Sequence, residues 1–241
     1  MTTPYKNSNQ PKKEQIAAMF NNIAHKYDFL NHTLSLGIDV WWRKKAAKKL
    51  GQLENPFILD IATGTGDFAI TAARRIKTAR IVGVDISEKM MEVGKQKVAR
   101  QNLNNRITFQ QGDCENLQFE SNSVDAILTG YGVRNFENLH AGLCEMHRVL
   151  KPHSKAVILE FSTPRKFPVK QLYMFYFKHI LPAVGRLFSK DNSAYTYLPE
   201  SVEAFPSGEK FVAEAQKAGF TNTNFTFLTF GITALYVLEK S

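Results

Sequence analysis

Residues 59–70 read LDIATGTGDFAI, an apolar run that ends in two closely spaced glycines and continues as a helix-like stretch. Gly64 and Gly66 permit backbone conformations, and a close approach of backbone to ligand, that other residues forbid. A loop of this kind predicts an open α/β sheet, in which ligands bind at the carboxyl ends of the strands. GTGDFA also fits the permissive Gly-x-Gly-x-x-Gly/Ala pattern of dinucleotide sites, so the loop alone identifies no particular ligand.

Outward from this loop, short apolar or β-branched runs alternate with helical stretches as far as residue 161. The predicted strands are FILDI (57–61), RIVGVDI (80–86), ITFQQGD (107–113), SVDAILTG (123–130) and AVILEF (156–161). Because helical stretches separate them, these strands need crossover connections, which produce a parallel sheet with helices on both faces.

The pattern changes near the C-terminus. NFTFLTF (224–230) and ITALYVLEK (232–240) flank Gly231 with no room for a helix between them, which predicts an antiparallel pair. A parallel sheet with such a hairpin is typical of nucleoside-binding methyltransferases, whereas a dinucleotide-binding Rossmann sheet normally continues with crossovers. The predicted fold is therefore the α/β, Rossmann-like class I methyltransferase fold with a seven-stranded sheet.

Helical segments precede the first predicted strand. Apolar residues at helical spacing predict an amphipathic helix, and they are Ile16, Phe20, Ile23, Tyr27, Leu30 and Leu34. VWWRKKAAKKLGQL (40–53) predicts a basic amphipathic helix that ends near Gly51. We expect one methyltransferase domain over residues 1–241, with an N-terminal helical cap (1–55) and an aromatic, basic insertion near the substrate site (162–205).

The composition limits the compartment and the partners. The chain has 31 basic and 22 acidic residues and a net charge of +9, which favours nucleic acid, a phospholipid surface or a phosphorylated ligand. Cys114 and Cys144 are too few for a disulfide framework or a cysteine-based metal site. The N-terminal stretch MTTPYKNSNQPKKEQ (1–15) has no apolar signal core, and no run approaches the roughly 18 apolar residues that span a bilayer. We expect a soluble, cytoplasmic protein.

Acidic residues at successive strand ends narrow the choice of ligand. Asp85 ends the second predicted strand, where a carboxylate accepts hydrogen bonds from both hydroxyls of an adenosine ribose. Asp113 and Cys114 follow the third strand, at a position suited to an adenine edge, and Asp60 lies just upstream of the glycines. These acids suit the ammonium and sulfonium of S-adenosylmethionine better than the pyrophosphate of NAD. The alternative is that Asp85 and Asp113 are ordinary strand-end residues.

Three longer motifs carry a resemblance to a known family. KYDFLNHTLSLGIDVWWRK (26–44), GVRNFEN (132–138) and HRVLKPHSKAVILEFSTP (147–164) resemble the ubiquinone/menaquinone C-methyltransferase family. The resemblance implies a class I methyltransferase fold and methyl transfer from S-adenosylmethionine to a ring carbon of a prenylated quinol. It also implies cofactor contacts at Thr65, at Asp85 and at the pair 113–114, where Asp-Cys replaces the family's common Asn-Ala.

The chemistry needs a reduced, ionised quinol, because a quinone ring is too electron-poor to attack a methyl sulfonium. If the quinol hydroxyl has a pKa of about 10, forming its anion at pH 7 costs roughly 4 kcal/mol. Arg134, Asn135 and Tyr27 belong to the matched motifs. We expect Arg134 to stabilise the quinolate, Asn135 to orient its oxygen, and Tyr27 or a water to relay the proton.

Each of these three residues also has a structural interpretation. Tyr27 lies on the apolar helical stripe and fits a core position. Arg134 fits an ion pair with Glu137 or another carboxylate, and Asn135 fits a helix cap before FENLHAGL. The six histidines show no metal-ligand spacing, so no metal site is predicted.

A prenylated quinol resides in the bilayer, which predicts a peripheral membrane surface. Aromatic residues alternate with Lys170, Lys178 and Arg186 in the insertion, and WWRKKAAKK (41–49) repeats the combination, which suits an anionic inner membrane face. A core position or a dimer contact is the alternative for these aromatics, so a homodimer stays open.

Other functions fit the sequence less well. A nucleic-acid methyltransferase usually has an Asn/Asp-Pro-Pro-aromatic motif after the fourth strand, where this chain reads TGYGVRN, so we predict no nucleic-acid partner. An NAD-dependent oxidoreductase and a non-enzymatic membrane module are more distant alternatives. Demethylmenaquinol is favoured over a polyprenyl-benzoquinol because no organellar transit segment is evident.

Overall fold

The structure, a computed structural model, describes residues 2–180 and 193–241. Its strands are β1 (Phe57–Ile61), β2 (Arg80–Asp85), β3 (Ile107–Gln111), β4 (Val124–Gly130), β5 (Leu150–Phe161), β6 (Asn222–Leu228) and β7 (Thr233–Glu239). Its α-helices are α1 (Lys12–Leu34), α2 (Ile38–Ala47), α3 (Asp67–Arg75), α4 (Glu88–Arg100), α5 (Leu139–Val149), α6 (Val169–Phe175), α7 (Ser193–Ala204) and α8 (Glu209–Lys217).

The seven strands form one mixed sheet of order β3-β2-β1-β4-β5-β7-β6. Strands β1 to β5 are parallel, and β7 is antiparallel to both β5 and β6. Residues 229–232 join β6 to β7 and are too few for a crossover, so the chain reverses directly. The predicted fold class is confirmed.

Two apolar cores cover the two faces of the sheet. Successive side chains of a strand point to opposite faces, so Ile58 packs with α2 and α3 whereas Leu59 packs with α5 and α8. Both residues are fully buried, as expected for a parallel strand covered on both sides. The sheet therefore presents its polar residues mainly at the strand ends.

Helix α1 lies beyond the sheet, against α4, α2 and α7. Its apolar stripe buries Ile16, Met19 and Leu30. The Lys12 ammonium donates to the Phe136 carbonyl at 2.7 Å, which fastens the start of α1 to the loop after β4. The predicted N-terminal helix therefore covers the carboxyl ends of the strands.

Side chains cap the helices that follow β2 and β4. Ser87 accepts a hydrogen bond from the Met90 amide at 3.4 Å, as the sequence predicts for α4. Asn138 accepts from the Ala141 amide at 3.0 Å and caps α5. The alternative that Asn135 caps this helix is therefore wrong. Among the described helices, none has the length and apolar content needed to cross a membrane.

Candidate functional site

The glycine loop follows β1, as predicted, and both glycines adopt left-handed backbone conformations. Gly64 has φ 55° and Gly66 has φ 78°. A Cβ atom on Gly66 would lie 2.9 Å from a Phe109 ring carbon, so a larger residue there displaces this ring. The Gly64 amide donates to the Asp85 carboxylate at 2.7 Å. The tips of β1 and β2 are thereby joined.

The Asp85 carboxylate is organised by backbone donors. One oxygen accepts from Gly64, and the other accepts from the Ser87 amide at 2.8 Å. Burial raises the pKa of Asp85, and these hydrogen bonds oppose that effect. A carboxylate has about four acceptor sites, so Asp85 can still accept a hydrogen bond from a ligand.

Asp85, Asp113 and Cys114 line one narrow cavity of about 70 Å³, which we call the strand-tip cavity. Gly64 and Asn135 also line it, together with two carboxylates that the sequence analysis missed, Glu115 and Glu137. Its lining from α1 comprises Lys13, Ile16, Phe20 and Tyr27. An acid-rich cavity of this kind suits a cationic ligand.

Asp113 is partly committed to the protein. Its carboxylate pairs with Lys13 at 3.1 Å and accepts from the Glu115 amide at 2.9 Å. Burial raises the pKa of the neighbouring Cys114 thiol, so this side chain is a neutral part of the wall.

Asp60 and Thr65 do not line the strand-tip cavity. The Asp60 carboxylate accepts from the Thr63 hydroxyl at 2.7 Å and from the Ala69 amide at 3.0 Å, which holds the glycine loop from behind. The Thr65 hydroxyl donates to Asp28 of α1 at 2.5 Å. Lys97 of α4 pairs with the same Asp28 carboxylate at 2.6 Å. Direct cofactor contacts by Asp60 and Thr65 stay predictions, and the geometry gives both a supporting position.

A second, larger cavity of about 390 Å³ adjoins the first, and we call it the apolar cavity. Its lining is dominated by aromatic and aliphatic side chains of α1, α2, α6 and α7. Phe20, Tyr27 and Tyr131 line both cavities. The two cavities therefore meet at these three rings.

Arg134 lies in the wall of the apolar cavity and is buried. It pairs with the fully buried Glu160 of β5 at 2.8 Å, and its guanidinium lies 5.5 Å from the centre of the Phe161 ring. It also donates to the Tyr131 carbonyl. Burial lowers the pKa of Arg134, but the Glu160 carboxylate raises it above its ordinary value, so the guanidinium stays charged.

The expected structural carboxylate is therefore Glu160. Glu137 instead accepts from the Lys12 amide at 3.2 Å. The sequence carried a signal for Glu160, because a carboxylate inside the apolar strand AVILEF needs a buried partner. In the described part of the chain, the Nε atom of Arg134 has no hydrogen-bond partner.

Asn135 lines the strand-tip cavity, and Tyr27 lines both this cavity and the apolar cavity. The Asn135 amide contacts the Tyr131 carbonyl at 3.5 Å, and its Oδ1 atom is buried without a partner among the described residues. Burial raises the pKa of Tyr27, whereas the Arg134 charge and a hydrogen bond with Asn31 lower it. The phenol stays protonated near neutral pH and is a better donor than base.

These features define a class I methyltransferase: the order of the strands in the sheet, the glycine loop after β1 and the acidic residues at the strand ends. Residues 8–240 match the ubiE/COQ5 methyltransferase family, and the chain belongs to this family. It is 49% identical over 237 residues to the Demethylmenaquinone methyltransferase of Bacteroides fragilis, covering 98% of this chain and 96% of the relative. It is 50% identical over 230 residues to the Ubiquinone/menaquinone biosynthesis C-methyltransferase UbiE of Geotalea daltonii, covering 95% and 97%.

Solved structures agree on the fold. A SAM-dependent methyltransferase from Aquifex aeolicus superimposes with a TM-score of 0.60 at 16% identity, covering 81% of this chain and 88% of the other. At this identity the likeness concerns the fold alone. The family match and the shared fold together identify the chain as an S-adenosylmethionine-dependent C-methyltransferase.

The pH dependence of stability tests whether the buried Asp60 carboxyl supports the glycine loop. Burial raises its pKa to about 7 from an unfolded value of about 3.9. The folded state therefore holds a proton that the unfolded state releases, and the associated stability is lost as pH rises from about 4 through about 7. Asp60→Asn cannot ionise, so its free energy of unfolding should rise relative to the native chain across this window. Denaturation at pH 4.5 and pH 8 measures the difference.

Asp125→Asn is the control, because its partner Lys151 and the Phe57 amide lower the pKa of Asp125 despite the opposing effect of burial. That variant should be less stable than the native chain by nearly the same amount at pH 4.5 and pH 8, because this carboxyl is ionised in both the folded and the unfolded state throughout the window. A pH-independent difference for Asp60→Asn would contradict the assignment.

Proposed function

We propose that this enzyme transfers a methyl group from S-adenosylmethionine to a ring carbon of demethylmenaquinol, giving menaquinol. The observation that carries the proposal is the junction of the two cavities at Phe20, Tyr27 and Tyr131. One cavity is acid-lined, and the other is aromatic with the Arg134–Glu160 pair in its wall. The name of the Bacteroides fragilis relative supports the same substrate.

The strand-tip cavity suits S-adenosylmethionine by the chemistry of its side chains. Asp85 would accept from the ribose hydroxyls, and Asp113 with Cys114 would hold the adenine. Gly64 lines the cavity and leaves room for the methionine part, whereas Gly66 packs against Phe109 and acts through the loop conformation. Asp60 and Thr65 support this loop. When bound, this cofactor supplies an electrophilic methyl group. Because α1 contributes to the wall, we expect cofactor exchange to require its displacement.

The protein's contribution to chemistry is electrostatic and positional. The Nε–H group of Arg134 has no hydrogen-bond partner among residues 2–180 and 193–241, and Glu160 holds the guanidinium in place. A donor of this kind offsets much of the roughly 4 kcal/mol needed to ionise the quinol. The hydroxyl proton leaves through Tyr27 or a water, and Asn135 orients the oxyanion. As the methyl–sulfur bond breaks and the methyl–carbon bond forms, the substituted ring carbon becomes tetrahedral, and it then loses its hydrogen to water as a proton. Alignment of ring carbon and methyl group is worth roughly 7 to 11 kcal/mol and should dominate.

The surface around the apolar cavity suits a membrane-resident substrate. Exposed apolar side chains lie on the segments that also line this cavity, including Leu36 (86% exposed), Leu172 (67%) and Phe230 (80%). Contiguous exposed apolar residues mark interaction surfaces. We propose that this face contacts an anionic membrane from the cytoplasmic side while the prenyl tail stays in lipid. Arg186 lies outside the described residues, so the membrane contact rests on these apolar side chains and the preference for anionic lipid on the net charge of +9.

Vesicle binding tests this surface. A Leu172→Ser/Phe230→Ser variant should lose retention on anionic phospholipid vesicles at low salt by roughly tenfold or more, because each side chain buries apolar area in the interface. Lys217→Ser, an exposed change on α8, should leave retention unchanged. Equal retention of the native chain on neutral and anionic vesicles would contradict the proposed anionic interface.

We also propose that residues 1–241 act as one domain, with residues 1–55 as a cap and 162–205 as a substrate-site insertion. The lining of both cavities by α1, and of the apolar cavity by α6 and α7, supports this organisation. The prenylated quinol is the proposed partner, and no nucleic acid is expected to bind.

The second candidate substrate is a polyprenyl-benzoquinol, because the Geotalea daltonii relative is named for both quinone pathways. Methyl transfer from labelled S-adenosylmethionine to each chemically reduced quinol distinguishes the two. We expect demethylmenaquinol to be methylated faster. Methylation of the benzoquinol alone would reassign the substrate, and labelling of neither would refute the proposed function.

A further inference from the structure

Two buried tyrosine side chains line the apolar cavity, and within residues 2–180 and 193–241 their hydroxyls have no assigned structural role. Tyr173 comes from α6 and Tyr197 from α7, and both line this cavity. Their exposed fractions are 7% and 3%, and neither hydroxyl has a hydrogen-bond partner among the described residues. Leaving a buried hydroxyl unpaired costs about 1–3 kcal/mol. Two such groups in one cavity wall indicate a ligand that carries a polar atom.

The position of the two tyrosines separates them from the reacting end of the site. Neither lines the strand-tip cavity, whereas Tyr27 and Tyr131 line both cavities. A ligand atom near Tyr173 and Tyr197 is therefore on the side of the substrate ring away from the cofactor. The wall of the apolar cavity is also aromatic, because the Tyr131 and Phe161 rings stack with 4.4 Å between their centres.

Both phenols remain protonated and can donate. Burial raises the pKa of Tyr197 to about 12, with opposing effects from Arg134, which lowers it, and Glu160, which raises it. Burial likewise raises the pKa of Tyr173. The Arg134–Glu160 pair acts electrostatically on both tyrosines, and no hydrogen bond joins either phenol to this pair in the described part of the chain.

We propose that Tyr173 and Tyr197 bind the second oxygen of the substrate ring, across the ring from the hydroxyl that ionises. The apolar cavity thereby selects aromatic rings with two para oxygens over rings with one. This inference rests on the proposed function and adds the ring pattern that the site recognises. A hydroxyl both donates and accepts, so one oxygen can pair with both phenols.

The expected selectivity follows from the groups that a poorer substrate leaves unpaired. A ring without the second oxygen leaves both phenols buried without partners, and sites built to bind a hydroxyl reject analogues that lack it. The native enzyme should therefore prefer the dihydroxy ring by roughly tenfold to a hundredfold in kcat/KM. Removing both phenolic hydroxyls should reduce this preference roughly tenfold.

The test compares a prenylated 1,4-dihydroxynaphthalene with the matched 1-naphthol that lacks the distant hydroxyl. The measured quantity is the ratio of their kcat/KM values in the native enzyme, Tyr173→Phe, Tyr197→Phe and the double variant. The difference in chemical reactivity between the two substrates is the same for every enzyme, so it cancels when the ratios of the variants are compared with that of the native enzyme. We expect the ratio to fall roughly tenfold in the double variant, mainly through a higher KM for the dihydroxy ring.

Tyr236→Phe is the matched control, because its buried hydroxyl accepts from the Gly208 amide outside the cavity. It should lower Tm without changing the ratio. Tyr173→Phe and Tyr197→Phe should keep or raise Tm, since each removes a buried hydroxyl that has no partner in the described ranges. A marked fall in Tm would reveal an internal partner and overturn the inference.

The outcomes also separate this inference from the proposed function. If the native enzyme methylates the dihydroxy ring and the ratio is the same in the double variant, the tyrosine site is wrong and the proposed function stands. If the native enzyme methylates neither ring, the proposed function fails and the tyrosine site fails with it.

Discussion

Arg134→Ala is expected to lower turnover by roughly 10² to 10³-fold, the usual cost of removing one donor to a developing oxyanion. Arg134 lies in the wall of the apolar cavity and not of the strand-tip cavity, so the affinity for S-adenosylmethionine should change little. Single-turnover methyl transfer at saturating cofactor, with calorimetry for cofactor binding, measures the two effects separately.

Stability has to be separated from chemistry in this experiment. Removing Arg134 leaves the fully buried Glu160 without its cation, and breaking a buried pair costs about 3–5 kcal/mol. An Arg134→Gln/Glu160→Gln variant removes both charges together. It should recover much of the lost stability while turnover stays low.

Arg148→Ala serves as the control outside both cavities, because Arg148 pairs with Glu145 at 2.6 Å on α5 and also donates to the Leu117 and Phe119 carbonyls. Its turnover should equal that of the native chain. Native turnover in a folded Arg134→Ala enzyme would contradict the electrostatic role of Arg134.

Asp85→Asn is expected to weaken S-adenosylmethionine binding by roughly 10²-fold, with kcat nearly unchanged once cofactor saturates. The Gly64 amide donates to one carboxylate oxygen of Asp85, and the Ser87 amide donates to the other. In either orientation of an asparagine side chain, its NH₂ group would face one of these N–H donors, and that hydrogen bond would be lost. The variant loses a charge-assisted acceptor for the ribose and disturbs the glycine loop. Calorimetric titration measures the loss of affinity.

Asp125→Asn provides the matched comparison for affinity. Asp125 also accepts from a backbone amide, of Phe57 at 2.8 Å, but lies at the opposite end of β4 from the strand-tip cavity. Its affinity for the cofactor should match that of the native chain. Unchanged affinity in Asp85→Asn would remove Asp85 from the cofactor site.

Much of the fold could be predicted because its signals are local. The apolar run before Gly64 is β1, the helical spacing from Ile16 onward is α1, and the short link at Gly231 separates two antiparallel strands. Each feature depends on residues close together in the chain, whose spacing reflects the period of a strand or helix. The predicted position of Asp85 beside the glycine loop follows from the same rule, because the carboxyl ends of neighbouring parallel strands meet.

The partners of individual side chains could not be predicted in this way. Glu160 is 26 residues from Arg134 along the chain and becomes its partner because β4 and β5 are neighbours in the sheet. Asp60 supports the glycine loop from behind because the Thr63 hydroxyl and the Ala69 amide donate hydrogen bonds to its carboxylate. Such contacts depend on which surfaces pack together and not on local spacing.

The amino-acid sequence by itself determined the class of sheet, the glycine loop, the acidic strand ends and the family, since these are written in short motifs and in periodicity. Only the tertiary structure decided that α1 covers the strand tips, that consecutive residues Arg134 and Asn135 line different cavities, and that Tyr173 and Tyr197 share one wall. The physical reason is that a cavity is enclosed by segments distant in sequence. Its lining is set by how their buried surfaces fit together.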